Sequence, residues 1–82
     1  MYEVVFSDIA LKQFKKIDHT IQERIICALE RIRFRPEAFI TKLVGDTAYK
    51  FRVGDYRVLL EVDKNKLLIL VLKVGHRRNV YD

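Results

Sequence analysis

The chain has 82 residues, half of them hydrophobic, with one cysteine and two histidines. This length suits one small domain, residues 1–82, built around a single core. The lone Cys27 excludes an intramolecular disulfide, and it cannot form a zinc site with His19 and His76, which lie 57 positions apart. The composition therefore predicts a globular domain without metal or other cofactor.

The net charge of +5 is unevenly distributed along the chain. Residues 1–41 hold seven Lys/Arg and six Asp/Glu, whereas residues 42–82 hold nine and five. A basic half on a small domain favours a polyanionic partner, either nucleic acid or an acidic protein segment, or both in turn. The alternative is a solvated surface with a chance excess of lysine.

Targeting signals are not evident in the sequence. The N-terminal residues MYEVVFSDIA lack the basic region and apolar run of a signal peptide. The apolar runs are also shorter than the roughly 20 residues that span a bilayer. We therefore expect a cytoplasmic protein without a membrane partner.

The N-terminal half of the chain predicts one strand and two helices. Residues 2–6 are β-branched and aromatic, which is typical of a strand. Ser7 is placed to cap a helix over residues 8–17, where apolar residues recur at helical spacing. Thr20 and Glu23 form a predicted capping box for a second helix, which Pro36 must stop because its ring restrains the preceding residue.

After Gly45 the apolar pattern changes to that of strands, at residues 48–53, 56–62 and 66–74. Short polar joints connect them, so they should form an antiparallel meander. The last strand is apolar on both faces and is predicted to be central. The order β-α-α-β-β-β indicates an α+β fold, with two helices packed on an antiparallel sheet of four strands. The strand that pairs with residues 2–6 cannot be derived from the sequence.

The hairpin predicted at Gly54-Asp55 carries the first candidate functional residues. With a two-residue turn, Arg52 lies opposite Arg57, and Lys50 projects from the same face of the sheet. Like charges opposite one another destabilise a sheet, so we expect a fold that groups three cations to use them, and a phosphodiester is a fitting ligand. The alternative is a polar outer face satisfied by water and by Glu61.

The C-terminal residues extend this group of candidates. His76, Arg77 and Arg78 follow the predicted central strand, and Tyr81 comes shortly after them. A chain end folded back over the cationic face would add charge, an imidazole and an aromatic ring that can stack on a base. Arg78, together with Lys73 near the end of the last strand, is a candidate RNA-binding residue.

Two stretches resemble a known family. YKFRVGDYRVLLEV (residues 49–62) and VGHRRNVYD (residues 74–82) resemble the RelE branch of the RelE/ParE toxin superfamily. The resemblance implies a curved antiparallel sheet with two helices on one side. It also implies a metal-independent endoribonuclease that cuts mRNA in the ribosomal decoding site. There the 2′-hydroxyl attacks the adjacent phosphate and leaves a 2′,3′-cyclic phosphate and a 5′-hydroxyl.

The same resemblance implies a role for each of five residues. Lys50 activates the 2′-oxygen as a base or by its charge, and Arg52 occupies the position of a second lysine. Arg57 holds the scissile phosphate and Arg77 stabilises or protonates the leaving oxygen. Tyr81 stacks on the mRNA base.

This sequence also departs from the family pattern at several positions. Arg52 cannot give up a proton, so a base role falls to Lys50. His76 replaces the lysine of several relatives and is a candidate acid or base, because imidazole exchanges protons near neutral pH. The spacer before Tyr81 is short, and the C-terminal helix of some members is missing. In contrast, Cys27 is expected to be a small packing residue in the second helix.

Two other functions are compatible with this resemblance. One is a ParE-like inhibitor of DNA gyrase, although that branch generally lacks the cations found here. The other is a non-catalytic basic RNA-binding module. The expected partners are the ribosome, mRNA and a cognate antitoxin in a hetero-oligomer. The antitoxin should cover the basic sheet face or displace the C-terminal residues, with acidic side chains meeting the cations.

Overall fold

The structure, a computed structural model, describes residues 1–43, 45 and 47–76. The elements are β1 (Glu3–Phe6), α1 (Asp8–Lys15), α2 (His19–Ile32), a 3-10 helix (Pro36–Ala38), β2 (Thr41–Lys42), β3 (Tyr49–Val53), β4 (Tyr56–Asp63) and β5 (Leu68–His76). The sheet order is β1-β5-β4-β3-β2. The α+β class is confirmed, but the sheet is mixed and has five strands instead of four antiparallel ones.

Both helices begin at a side-chain cap. Ser7 caps α1 as predicted: its Oγ accepts a hydrogen bond from the Ala10 N–H at 3.0 Å and donates one to the Leu72 carbonyl at 3.0 Å. The capping box predicted at Thr20 and Glu23 is wrong. Asp18 is the cap of α2, because its Oδ2 accepts from the Thr20 N–H at 3.1 Å.

The three C-terminal strands form the predicted antiparallel meander. In the β3–β4 hairpin Val53 lies opposite Tyr56, and Gly54 has a φ of 59°. A positive φ at the first of two turn residues favours glycine, which has no Cβ to clash with the following carbonyl.

The last strand, β5, is an interior strand of the sheet, between β1 and β4, although the middle strand of the five described is β4. The partner of β1 is now identified. β1 pairs with β5 in parallel, with Glu3 beside Leu68 and Phe6 beside Val71. The parallel pair is possible because α1 and the rest of the chain lie between the two strands, as a parallel crossover requires.

The turn that precedes β5 is longer than the sequence predicts. The Oδ1 of Asp63 accepts hydrogen bonds from the N–H groups of Asn65 and Lys66, both at 3.0 Å. Leu67 follows with a left-handed φ of 52°. The strand therefore begins at Leu68, two residues later than predicted, and continues to His76.

The main core lies between the two helices and one face of the sheet. Its buried residues come from α1, α2, β3, β4 and β5, and are Ala10, Ile25, Leu29, Ile32, Phe51, Val58, Leu60, Ile69, Val71 and Val74. We call this the helix-covered face and the other the open face. Among the described residues, no helix is long and apolar enough to cross a lipid bilayer.

A smaller cluster lies on the open face. Leu43, Ala48 and Leu59 are buried there and Leu72 packs against them. The Leu43 N–H donates to the Ala48 carbonyl at 3.0 Å, so the ends of the intervening loop are held together. This cluster fixes β2 and the start of β3 where the candidate site begins.

Candidate active site

The three hairpin cations share the open face of the sheet, as predicted. Arg52 on β3 lies directly opposite Arg57 on β4, and Lys50 lies opposite Leu59. Their chain neighbours Phe51 and Val58 are buried under the helices. Because side chains alternate along a strand, the cations must point away from the helices.

One small concavity collects these side chains. Its volume is about 190 Å³, and it is lined by Phe39, Thr41, Lys50, Arg52 and Arg57. None of the five is acidic, so the lining carries three positive charges and a hydroxyl. Such a site favours an anion with several acceptor oxygens, such as a phosphodiester.

The three cations differ in exposure. Arg52 is exposed, whereas Lys50 and Arg57 are half-buried. A half-buried lysine or arginine packs its methylene stem and leaves the charged end toward water. Lys50 and Arg57 are therefore more restrained in position than Arg52, which suits groups that must meet fixed atoms of a substrate.

On the neighbouring strand β5, the open face carries one further cation, Lys73, and one glycine, Gly75. Lys73 lies opposite Leu59, and hence two strands from Lys50 on the open face, at a separation of about 10 Å. It is exposed. Gly75 lies opposite Arg57, so β5 presents only backbone atoms at that position.

His76 does not reach this concavity. It lies opposite Tyr56, and their ring centroids are 5.6 Å apart at an interplanar angle of 74°. Tyr56 packs on the main core, so His76 occupies the helix-covered face. The prediction that a folded-back chain end brings His76 over the cations is wrong, because β5 extends to this residue and the strand alternation fixes its side.

The remaining predicted residues, Arg77, Arg78 and Tyr81, lie outside the described residues. Their proposed roles stay predictions. No group of three or more His, Cys, Asp or Glu side chains in the described part of the chain is arranged to hold a metal ion.

Two residues of the concavity were missed by the sequence analysis. Thr41 lies opposite Lys50 in β2, a strand of two residues that is too short to show a period. Phe39 follows the 3-10 helix and is 47% exposed. The only sequence signal for Phe39 is an aromatic residue in a region without strand or helix pattern.

A larger groove of about 660 Å³ lies between α2 and β3. Its lining residues are Thr20, Glu23, Arg24, Cys27, Ala28, Arg31, Ile32, Phe39, Phe51, Arg52 and Val53. Cys27 is exposed here, so its predicted packing role is wrong. Phe39 and Arg52 line both the groove and the smaller concavity.

A family model described as the ParE toxin of type II toxin–antitoxin systems matches residues 4–81. The chain belongs to this toxin family. The resemblance in residues 49–62 and 74–82 is therefore confirmed over nearly the whole chain. Within the family, a RelE-like toxin protein of Escherichia coli is 33% identical over 79 residues, which cover 93% of this chain and 83% of that protein.

Other relatives carry the RelE name. The mRNA interferase toxin RelE of Escherichia coli K12 is 29% identical over 79 residues, with the same coverage of both chains. The RelE toxin in the crystal structure of the E. coli RelBE toxin–antitoxin complex superposes with a TM-score of 0.81 at 30% identity, covering 93% of this chain and 96% of that chain.

An archaeal structure has the same fold. The RelE–RelB complex of Pyrococcus horikoshii gives a TM-score of 0.79 at 26% identity, covering 96% of this chain and 98% of that chain. The chain is therefore a RelE-like toxin of a type II toxin–antitoxin system, with the fold of RelE.

Proposed function

We propose that this toxin is an endoribonuclease that cuts mRNA on the ribosome, in the cytoplasm, without a metal ion. The observation that carries the proposal is the concavity of the open face, where Lys50, Arg52 and Arg57 meet and none of the described lining residues is acidic. The relative named mRNA interferase toxin RelE supports the same activity.

In the proposed reaction the 2′-oxygen of one nucleotide attacks the adjacent phosphorus. The bond from phosphorus to the 5′-oxygen of the next nucleotide breaks, leaving a 2′,3′-cyclic phosphate and a 5′-hydroxyl. The proton of the 2′-hydroxyl leaves toward Lys50 or a water molecule that Lys50 orients, and the departing 5′-oxygen takes up one proton from solvent water. No water is consumed, so a hydrolytic metal-bound water has no part in this step.

The side chains of the concavity stabilise the charge that develops in this step. Arg57 is restrained by partial burial and can hold two phosphate oxygens with its planar guanidinium. Arg52 adds charge but no base, because a guanidinium does not lose its proton. By resemblance Arg77 acts at the leaving oxygen and Tyr81 stacks on the base. Removing one such electrostatic contact commonly costs 10²- to 10³-fold in rate.

Mapping of RNA 5′ ends tests this proposal. We expect induction of the toxin in cells to produce new 5′-hydroxyl ends inside translated codons. Arg57→Ala and Lys50→Ala should lower their yield by about 10²-fold or more. Lys42→Ala is the matched control, because Lys42 lies opposite Tyr49 on the other side of the sheet, one residue from Thr41. Equal cutting by all four proteins would refute the proposed site.

A second candidate function is inhibition of DNA gyrase, since the matching family description carries the name ParE. A toxin that inhibits gyrase would cause DNA damage in the induced cells without new RNA ends. A non-catalytic RNA-binding module would cause neither effect. The mapping experiment, run beside an assay of DNA breaks, therefore separates the three functions.

A cognate antitoxin is the proposed regulatory partner. Related RelE toxins were crystallised with RelB antitoxins. We infer that an acidic segment of the antitoxin covers the open face, so that its carboxylates meet Lys50, Arg52 and Arg57 in a hetero-oligomer. Binding should weaken as salt rises, because exposed charge pairs are screened.

The antitoxin proposal has a direct structural test. Protection of the arginine side chains from a guanidine-modifying reagent can be measured by mass spectrometry with and without the purified antitoxin. We expect Arg52 and Arg57 to be protected and Arg35, which is exposed and lines neither concavity, to remain reactive. A complex that leaves Arg57 reactive and ignores salt would contradict this arrangement.

A further inference from the structure

Phe39 lies at the surface beside Lys50, Arg52 and Arg57 and does not pack in the hydrophobic core. Phe39 is 47% exposed, and it belongs to neither hydrophobic cluster of the described residues. Its backbone is nevertheless anchored, since the Phe39 N–H donates to the Pro36 carbonyl at 3.0 Å and Pro36 is buried. A single exposed aromatic is ordinary. An anchored one between two cationic concavities is a candidate contact residue.

The position of Phe39 joins the two concavities. It shares the smaller one with Lys50, Arg52 and Arg57, and the larger groove with Arg24, Arg31 and Arg52. Among the described residues that line the groove, only Glu23 is acidic, and its Oε1 lies 3.0 Å from Nε2 of His19. Positive charge therefore continues from the open face, past the phenyl ring, to α2.

We propose that Phe39 is a stacking platform for an unpaired RNA base next to the scissile phosphate. The strand continues from there into the groove, where Arg24 and Arg31 meet its phosphates. This inference rests on the proposed function, which supplies the RNA. It adds a binding subsite to a reaction for which only the C-terminal Tyr81 was expected to stack.

The chemistry of the path favours a single strand of RNA over a peptide. Unpaired bases offer a flat π-face to an aromatic ring whatever their sequence, and a polyanionic backbone needs cations at intervals on both sides of that ring. An acidic peptide would satisfy the arginines but would leave the flat ring without a matching planar group. Occupation of the groove by the antitoxin instead of RNA is the competing outcome.

The absence of tryptophan from the sequence allows a direct measurement. Phe39→Trp introduces a single indole that keeps the ability to stack and whose fluorescence is quenched by a stacked base. Phe34→Trp is the matched control, because Phe34 is 70% exposed, lies five positions away and lines neither concavity. The probe is a short single-stranded RNA with 2′-O-methyl groups, which cannot be cut.

We expect this RNA to quench the Phe39→Trp variant in a saturable way and to leave Phe34→Trp unchanged. In a separate binding assay with the same RNA, Phe39→Leu should weaken affinity by roughly 5- to 150-fold, the loss that corresponds to one stacked base. Phe39→Tyr should retain the affinity. Thermal unfolding of each variant checks that the fold is intact.

The results separate this inference from the proposed function. Saturable quenching supports the stacking subsite even if RNA mapping finds no cuts, in which case only the nuclease proposal fails. Normal cutting together with no quenching, or equal quenching of both tryptophan variants, overturns the subsite alone. Quenching by purified antitoxin but not by RNA also overturns it, because the groove would then be a protein-binding surface.

Discussion

Arg52 and Arg57 lie directly opposite each other across the hairpin of β3 and β4, two like charges in one cross-strand pair. Such a pair reduces the stability of a sheet by roughly 0.2–1 kcal/mol relative to a neutral one. The concavity that these side chains line with Lys50 explains why the fold keeps them together. The cationic site is thus present although its charges lower the stability of the sheet that carries it.

The first prediction concerns the stability that the sheet loses through the Arg52–Arg57 pair. Arg52→Thr should raise the free energy of unfolding by about 0.2–1 kcal/mol at low salt, and the gain should shrink near 1 M salt, where the screening length is about 3 Å. Urea unfolding at the two salt concentrations measures it. Lys42→Thr is the control, since it also replaces a long cation by threonine, but on β2 and on the opposite face of the sheet, where Lys42 lies beside Tyr49. An equal gain in the control would assign the effect to strand propensity.

The second prediction concerns the start of α2. Asp18→Ala should lower the free energy of unfolding by about 1 kcal/mol, because the Asp18 carboxylate accepts from the Thr20 N–H. For a domain of this size that corresponds to a fall in Tm of roughly 4–8 °C. Thr20→Ala should have little effect, because Thr20 is within the helix. A larger loss of unfolding free energy in Thr20→Ala than in Asp18→Ala would instead support the capping box predicted from the sequence.

Local features of the fold were predictable because their signals lie within a few residues. Ser7 caps α1 because a hydroxyl precedes the apolar stripe, and Gly54-Asp55 fixes the hairpin register by the length of the turn. From that register, the common face of Lys50, Arg52 and Arg57 follows by strand alternation. The cationic part of the site, Lys50, Arg52 and Arg57, could therefore be predicted from the sequence.

The other features depend on pairings between distant parts of the chain. The parallel pair of β1 and β5 joins Glu3 to Leu68, and no local pattern specifies it. Thr41 and Phe39 reach the concavity only because a two-residue strand pairs with β3. His76 was assigned to the wrong face because β5 continues two residues past the predicted end of the strand at Val74, so strand alternation places His76 on the same side as Val74.

The third prediction tests that turn. Leu67 has a φ of 52°, a backbone conformation that costs a residue with a Cβ roughly 1–2 kcal/mol, and the residue is 46% exposed. Leu67→Asn should therefore stabilise the protein by up to about 1 kcal/mol, because asparagine tolerates this region. The bond from the Glu3 N–H to the Leu67 carbonyl should persist. Urea unfolding checks the gain beside Lys66→Asn, and destabilisation by Leu67→Asn alone would contradict a left-handed Leu67.

The last prediction separates His76 from the chemistry. Its ring lies against Tyr56 on the helix-covered face, whereas the cations line the open face. His76→Gln should therefore leave the single-turnover rate of RNA cutting within about threefold, well short of the 10²- to 10⁴-fold that general acid–base catalysis contributes. Lys50→Gln provides the contrast, since it also introduces glutamine but removes a charge from the concavity on the open face. A loss of 10²-fold or more in His76→Gln, with an unchanged Tm, would place the imidazole at the reacting atoms after all. A loss of Tm without a loss of rate would instead identify the Tyr56–His76 ring contact as structural, because edge-to-face aromatic pairs stabilise a fold by roughly 0.5–1.5 kcal/mol.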